Sequence, residues 1–403
     1  MAVIVQKFGG TSVGSVERIE KVADRVANSY AKGHQVTVVV SAMGHTTDEL
    51  VDLANAIDNE PDRREMDVLL STGEQVTIAL LAMALRKRGL QAASFTGWQA
   101  GIQTEAVHGA ARIHDINPQP LRDFLDQGGI PVVAGFQGIA NGAITTLGRG
   151  GSDTTAVAVA AAIKADLCEI YTDVEGVYTA DPRYIKDAHK LPVISYEEML
   201  ELANLGSQVL HPRAVETAKK HGVALVVRST FSQNEGTVIK DMTTMESERV
   251  VTGVAFEKEI ARVALLGIPL HTPQLSHIFA ALAQERVNVD VIVQSVVREG
   301  EVDVSFTILE EDVERALEVC EGLVEVTQHK SIFHEKGLAK ISIVGAGMIS
   351  NPGVAAMMFT ALESSGAHVK MVSTSEIKVS CVVEQAYLQA GLEKVHDTFN
   401  LGQ

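Results

Sequence analysis

The sequence predicts an α/β domain with a largely parallel sheet, followed by two copies of a smaller α+β unit. Three observations carry this. Up to about residue 230, short β-branched runs alternate with longer amphipathic or Ala-rich segments. From Ser232 to Glu248 the chain turns polar, loses that alternation and carries Asn234-Glu235-Gly236, as a boundary or linker does. Beyond it, Ala261 to Ile308 and Leu338 to Val383 each read strand, glycine-bearing loop, helix, strand, strand, an internal duplication of a βαββ unit.

The first strand is expected over Val3 to Gln6, which opens on three β-branched residues. Further strands are expected over Val36 to Ser41, Ala92 to Phe95, Ile130 to Ala134, Glu169 to Thr172 and Leu225 to Arg228. Helical patterns fill the gaps. One begins near Ser15 and sets Ile19, Val22 and Val26 on one face. A second begins at Thr46, where Thr46 and Glu49 have capping-box spacing. A third follows Ser152, whose hydroxyl suits the cap of the Ala-rich run ending near Ala165. In the duplicated part, RVALLGIPLHTPQLSHIFAALAQERVNVDVIVQSV aligns over KISIVGAGMISNPGVAAMMFTALESSGAHVKMVST, and paired units of this kind bury one another's apolar helix faces.

At 403 residues the chain exceeds what one hydrophobic core usually serves, so two or three domains are expected. Its net charge of −17 repels nucleic acid and anionic membrane surfaces and favours small-molecule partners. Cys168, Cys320 and Cys381 are far apart with no CxxC, which indicates neither a disulfide framework nor a zinc site and fits a reduced, cytoplasmic setting. The apolar run in MAVIVQKFGG is too short for a signal peptide, and no later stretch is expected to reach membrane-spanning length.

Lys7-Phe8-Gly9-Gly10-Thr11-Ser12 follows the first strand directly, placing a cation and two glycine amides at the carboxyl end of the sheet, where such sheets bind ligands. The string is not a Walker A loop; it serves either an anion or a tight strand-to-helix turn. Gly148-Arg149-Gly150-Gly151-Ser152-Asp153-Thr154-Thr155 opens the Ala-rich helix, whose unpaired N–H groups make a second anion site. Arg149 offers a fork for a carboxylate, unless this is a capped helix with a surface arginine. In Ser71-Thr72-Gly73-Glu74-Gln75, Gly73 within a helical stretch points to close approach of another group, and Glu74 is either an ammonium ligand or a solvated surface residue. Ser41-Ala42-Met43-Gly44 adds a hydroxyl and a flexible turn, with Thr47 and Asp48 shortly after. The run Tyr171-Thr172-Asp173 to Tyr178, continuing through Asp181 and Arg183, combines carboxylate, turn residues and arginine as a ribose- and phosphate-holding loop does.

KFGGTS, SAMG, STGEQ, GRGGSDTTA, YTDVEGVYTADPR and STSEIKVS, in that order and spanning essentially the whole chain, resemble the aspartokinase family. The resemblance implies an amino-acid-kinase fold, a carbamate-kinase-like three-layer α/β sandwich over residues 1–240. Two α+β, ferredoxin-like ACT domains would follow, over 262–337 and 338–403, the second with a contribution from 249–261. It implies transfer from ATP, with Mg²⁺, to the side-chain carboxylate of L-aspartate, in lysine, threonine, methionine and diaminopimelate biosynthesis. ATP would lie near Lys7, Phe8, Gly9, Gly10, Ser41, Thr172, Asp173, Tyr178, Asp181 and Arg183, and aspartate near Ser41, Thr47, Glu74, Arg149, Gly150, Gly151 and Ser152. Lys7, Arg149 and Glu74 would carry catalysis, with no metal ligand assigned to the protein. Rival kinases of the same fold usually lack paired ACT modules, and a dinucleotide site at Gly345-Ala346-Gly347 fails at Ser350.

For the ACT modules the resemblance implies lysine, threonine or both as effectors. They would be held by Gln294 and Ser295 in the first repeat and by Met348, Ile349, Ser350, Asn351, Pro352, Val354, Ser373, Thr374, Ser375 and Glu376 in the second. Two departures stand out. Gln208 replaces a lysine common in relatives, which removes a cation from the phosphate side, and Arg183 or bound metal is expected to compensate. Pro269-Leu270-His271-Thr272-Pro273-Gln274 replaces the usual Asp and Pro-Gly of an effector loop. Assembly is expected as a homo-oligomer, or as an α/β hetero-oligomer whose shorter subunit starts internally at Met242 or Met245.

Overall fold

A computed structural model describes residues 1–207, 209–241, 249–271 and 275–402. Gln208, Met242, Met245, Thr272, Pro273 and Gln274, named above, lie outside the described residues. The chain divides into two units, Met1–Tyr178 with Lys190–Met245, and Thr179–His189 with Glu246–Gln403.

The first unit is built on an eight-stranded sheet in the order Val193–Ser195, Thr237–Lys240, Leu225–Ser229, Leu167–Thr172, Val3–Phe8, Gln35–Val40, Ile130–Ala134, Ala92–Phe95. Every pairing is parallel except Leu225–Ser229 with Thr237–Lys240. Both faces of such a sheet are covered, which is why Val36, Val38, Val39 and Val40 are all fully buried. The helix Val16–Ala31 is capped by Ser15, which accepts from the Arg18 N–H, and it buries Ile19, Val22 and Val26 as the spacing requires. A four-stranded sheet in the order Ile113–Ile116, Ile102–Thr104, Gln137–Ala140, Ala143–Thr146 completes the unit.

Four local expectations are corrected. The helix Thr46–Asn55 has His45 at its N-cap with no side-chain cap, so Thr46 is already helical and the Thr46–Glu49 box is not made. Gly150, not a hydroxyl, is the N-cap of helix Gly151–Ala162, and its left-handed backbone (φ 67°) turns the chain where Ser152 had been assigned that role. Part of the polar stretch read as linker is the sheet strand Thr237–Lys240, because Thr237 is buried with its hydroxyl donating to the carbonyl of Leu191 at 2.6 Å. Finally, Arg63–Lys87 is long and apolar enough, by length and composition, to cross a membrane. Half of its most apolar stretch is buried inside the protein, and its buried residues include Asp67, Ser71, Glu74 and Thr77.

The second unit is an antiparallel six-stranded sheet in the order Ile292–Gln294, Glu301–Leu309, Gly253–Pro269, Ser331–Val344, Lys378–Glu384, Met371–Thr374. Each half carries helices, Leu275–Gln284 and Val313–Gly322 in one, Val354–Ser364 and Leu388–Thr398 in the other. The long strand Gly253–Pro269 joins the halves: Gly253 to Glu257 pairs with Val344 to Lys340, while Ile260 to Pro269 pairs with Leu309 to Glu301. Ile278, Leu282 and Phe306 anchor one core; Met358, Leu362 and Leu392 anchor the other. The three cysteines are buried and free. Burial pushes the thiols of Cys320 and Cys381 up to about 12, so both behave as small apolar side chains.

Candidate active site

The carboxyl ends of the central strands converge on a cavity of about 830 Å³ in the first unit. Lys7 enters from strand Val3–Phe8, Ser41 and Ala42 from the turn after Gln35–Val40, Glu74 from helix Arg63–Lys87, and Arg149 to Asp153 from the start of helix Gly151–Ala162. The two glycine-bearing cationic loops thus face one space.

Close packing explains the glycines. A Cβ on Gly10 would sit 3.0 Å from the Ala42 carbonyl, and one on Gly73 would sit 2.8 Å from the Ala42 side chain. The helix can therefore press against the Ser41–Gly44 turn, and that contact delivers Glu74 to the cavity. Glu74 is only 3 % exposed; its Oε1 accepts the Ala42 N–H at 3.0 Å, while Oε2 has no hydrogen-bond partner among the described residues. Burial pushes its carboxyl up to about 8, against the pull of the backbone N–H groups. A solvated surface glutamate is thereby excluded.

Lys7 is nearly buried and pairs with Asp153 at 2.6 Å. Arg149 is exposed on the cavity rim and has no ion-pair partner among the described residues, so its guanidinium is open to an anion. Gly150 has no room for a side chain: an added Cβ would fall 2.1 Å from His211 Cγ, and φ is already positive at 67°. Gly150→Ala should cost about 2 kcal/mol or more of stability and lower kcat/KM. Thermal melting beside initial rates checks this, and a variant that melts with the wild type would show that the loop yields.

Chain-length comparisons give the family. Residues 2–229 match the model of the amino acid kinase family, and residues 271–322 and 341–399 match an ACT domain. An aspartokinase of Bacillus sp. (strain MGA3) is 59% identical over 402 residues, covering 100% of this chain and 98% of the relative. The chain belongs to the aspartokinase family. The E. coli aspartokinase III structure in complex with aspartate and ADP (R-state) superposes with TM-score 0.82 at 26% identity, covering 98% of this chain and 99% of that one. The same enzyme in complex with lysine and aspartate (T-state) gives 0.78 at 26% identity and the same coverage. As an aspartokinase the chain is a kinase that phosphorylates the carboxyl group of aspartate.

Of the residues read from sequence, Lys7, Gly10, Ser41, Thr47, Glu74, Arg149, Gly150, Gly151 and Ser152 line this cavity. Phe8 is fully buried and stacks on Tyr171 with ring centroids 4.7 Å apart, beneath the site and outside its lining. Gly9 donates its N–H to the Tyr171 carbonyl. Thr172 and Asp173 bond each other at the end of strand Leu167–Thr172, and Tyr178 bridges to Lys190; none of the three lines the cavity. Asp181 and Arg183 pair with one another and fall in the second unit, where Val254 donates to the Thr179 carbonyl at 2.7 Å. Asp153, read from sequence with the Gly148–Thr155 string, also lines the cavity, as do Asp67, His108, Phe136 and Thr146, which were not picked out from sequence. For Asp67 a signal existed: an acid seven residues before Glu74 on an apolar helix belongs to the same face.

In the second unit, Met348 to Ser350 lie in a short 3-10 turn, Asn351 donates to the Gly347 carbonyl at 2.8 Å, and Pro352 leads into helix Val354–Ser364. Ser373 and Thr374 end strand Met371–Thr374, Ser375 donates its N–H to Lys378, and Glu376 is exposed. Ser295 lines a separate cavity of about 380 Å³ with Arg262, Asp303 and Phe333, whereas Gln294 does not line it.

Proposed function

We propose that this aspartokinase transfers the γ-phosphoryl group of ATP to the β-carboxylate of L-aspartate, giving ADP and 4-phospho-L-aspartate, at the cavity where Lys7 and Arg149 meet. The observation that carries the reading is the buried Oε2 of Glu74, without a hydrogen-bond partner among the described residues, in a cavity that also holds an open guanidinium. An ammonium and a carboxylate on one carbon match that pair. In this reading Arg149 takes the α-carboxylate and Glu74 the α-ammonium, with Ser41, Thr47, Gly150, Gly151 and Ser152 around them, which leaves the β-carboxylate to attack the phosphorus in line. The nucleophile is already ionised at neutral pH, so no general base is needed. Lys7 neutralises charge on the transferring group, and the start of helix Gly151–Ala162, which no side chain caps, adds positive potential. Nucleotide contacts are assigned to Gly9, Gly10, Thr172, Asp173 and Tyr178, all of the first unit.

The described residues include no group of three His, Cys, Asp or Glu side chains fit to hold a metal ion. Mg²⁺ therefore enters this reading on the nucleotide's phosphates, where it offsets their charge. The domains are assigned to 1–240, 262–337 and 338–403 with 249–261, the last supported by the pairing of Gly253–Glu257 with Val344–Lys340. The place of the reaction is taken as cytoplasmic, at the head of lysine, threonine, methionine and diaminopimelate synthesis. Lysine, threonine or both act on the ACT modules by favouring one of two arrangements. Lysine is supported by the E. coli aspartokinase III complex, and assembly as homo-oligomer or α/β hetero-oligomer stays part of the proposal.

Aspartate-dependent ADP release, compared with glutamate, tests the substrate; equal rates on both would overturn it. Titrating that rate with lysine and threonine, singly and mixed, should lower it severalfold. A rate that neither effector nor their mixture moves would remove the regulatory assignment and leave the kinase.

A further inference from the structure

Asp67 is a fully buried carboxylate to which the phosphoryl-transfer reading gives no role. It lies seven residues before Glu74 on helix Arg63–Lys87, two turns back on the same stripe. Its carboxylate takes three donors from a loop and a strand end of the cavity wall: His108 Nδ1 at 2.6 Å, the Gly109 N–H at 3.1 Å and the Thr146 hydroxyl at 2.5 Å. Burying a carboxylate is unfavourable without such donors, and an apolar side chain would fasten the same loops with no charge to bury. What a carboxylate adds is control of an imidazole. Because it accepts from all three groups, His108 carries a proton on Nδ1, and Nε2 is the ring's remaining polar atom.

His108 lines the cavity with Gly109, Ala110 and Arg149, and its side chain keeps 26% exposure. The wall around it is stiff. Arg213 donates to the carbonyls of Leu147 at 2.6 Å and Ala111 at 2.9 Å, and the Ala111 N–H donates to the Thr146 carbonyl at 2.9 Å. A Cβ on Gly148 would sit 3.2 Å from the Gly109 carbonyl, so the His108 loop and the Arg149 loop form one surface. A ring held on that surface, with a carboxylate behind it to balance an imidazolium, is suited to an anion placed beside Arg149.

We propose that His108 is a further substrate-binding residue that, as the imidazolium balanced by Asp67, donates from Nε2 to the α-carboxylate of the amino-acid substrate, and that Asp67 is the positioning residue that aims it. The inference rests on reading the cavity as the aspartate site and adds a second ligand to the group Arg149 holds there.

Two amide substitutions separate contact from fastening. An asparagine amide reaches only the place of Nδ1, so His108→Asn keeps a donor for Asp67 and leaves nothing at Nε2; His108→Gln places its amide near Nε2. On the full chain, H108N is expected to raise KM for aspartate about tenfold or more, the loss of one charge-assisted hydrogen bond, while KM for ATP moves less than about twofold and melting stays near wild type. H108Q is expected to recover most of the aspartate KM. Adding Asp67→Asn to H108N should raise KM for aspartate no further, because Asp67 acts through the ring. A wild-type aspartate KM in H108N, or parallel rises for both substrates, would make His108 a loop fastener and overturn the proposal; additive effects of D67N would overturn the positioning role. Wild-type enzyme without aspartate-dependent ADP release would instead fail the substrate reading itself.

Discussion

Replacing Lys7 with methionine is expected to lower kcat by about 10²- to 10³-fold, the range for removing one preorganised charge from a water-poor site, with KM for aspartate changed only severalfold. The side chain leaves strand Val3–Phe8 at the carboxyl end of the sheet and lies against Gly9, where an added Cβ would come within 3.4 Å of Nζ. Among the described residues its ion partner is Asp153, at 2.6 Å, with the two side chains 11% and 14% exposed. Such a pair is poised rather than idle: binding a polyphosphate gives Lys7 a stronger anion than Asp153, and charge that grows during transfer is met without new desolvation. Methionine conserves the length and deletes the charge, leaving Asp153 without its ion partner. Some loss of stability, about 1 to 3 kcal/mol, therefore accompanies the kinetic effect, and the rates should be taken well below the variant's melting temperature. Coupled ADP release with each substrate varied in turn decides the matter. A kcat within tenfold of wild type would show that the metal and backbone amides suffice. A loss confined to KM for ATP would make Lys7 a ground-state ligand.

What the sequence disclosed of this site follows from which signals are local. The strand carrying Lys7 and the one leading into Ser41 announce themselves because buried parallel strands are continuous β-branched runs, and Ser15 sits one residue before its helix as an N-cap should. The glycine strings were legible because close approach leaves glycine no substitute, as Gly73 against Ala42 and Gly150 against His211 show. The helix start at Gly150 was misplaced onto Ser152, since a left-handed glycine caps by backbone shape and offers no hydroxyl to look for. The four-stranded sheet went unseen because its strands span only three or four residues and pair across long gaps, as Ile102–Thr104 does with Gln137–Ala140. Asp67 and His108 are 41 residues apart, and nothing at either position declares the other. The segment Thr179–His189 was read with the catalytic domain by its place in the chain, yet Ala180 and Ile185 pack into the core of the second unit. Tertiary burial decides that, and no local pattern records it.

Glutamine in place of Glu74 is expected to change both the pH dependence of folding and the use of aspartate, because one buried carboxyl governs both. In the free enzyme burial raises this group from 4.5 to about 8. Between those values the folded chain holds a proton that the unfolded chain has released. Stability contributed by the protonated form is therefore complete below about 4.5, declines as pH rises through the window, and levels off above about 8. The slope amounts to at most about 5 kcal/mol at ~1.4 kcal/mol per pKa unit. Glu74→Gln is neutral throughout, so its stability relative to wild type should increase from pH 5 to pH 8, read from denaturant unfolding of ligand-free protein at the two values. Catalysis moves the other way. The α-ammonium needs the carboxylate form, so wild-type KM for aspartate should fall as pH climbs toward 8, by up to tenfold per unit where the free group is protonated. The variant should lose that dependence and show a KM for aspartate raised about 10²-fold, in line with truncating one partner of a buried charge pair. A variant with wild-type KM and an unchanged pH profile would place the ammonium elsewhere, and the orphaned Oε2 would then need another donor.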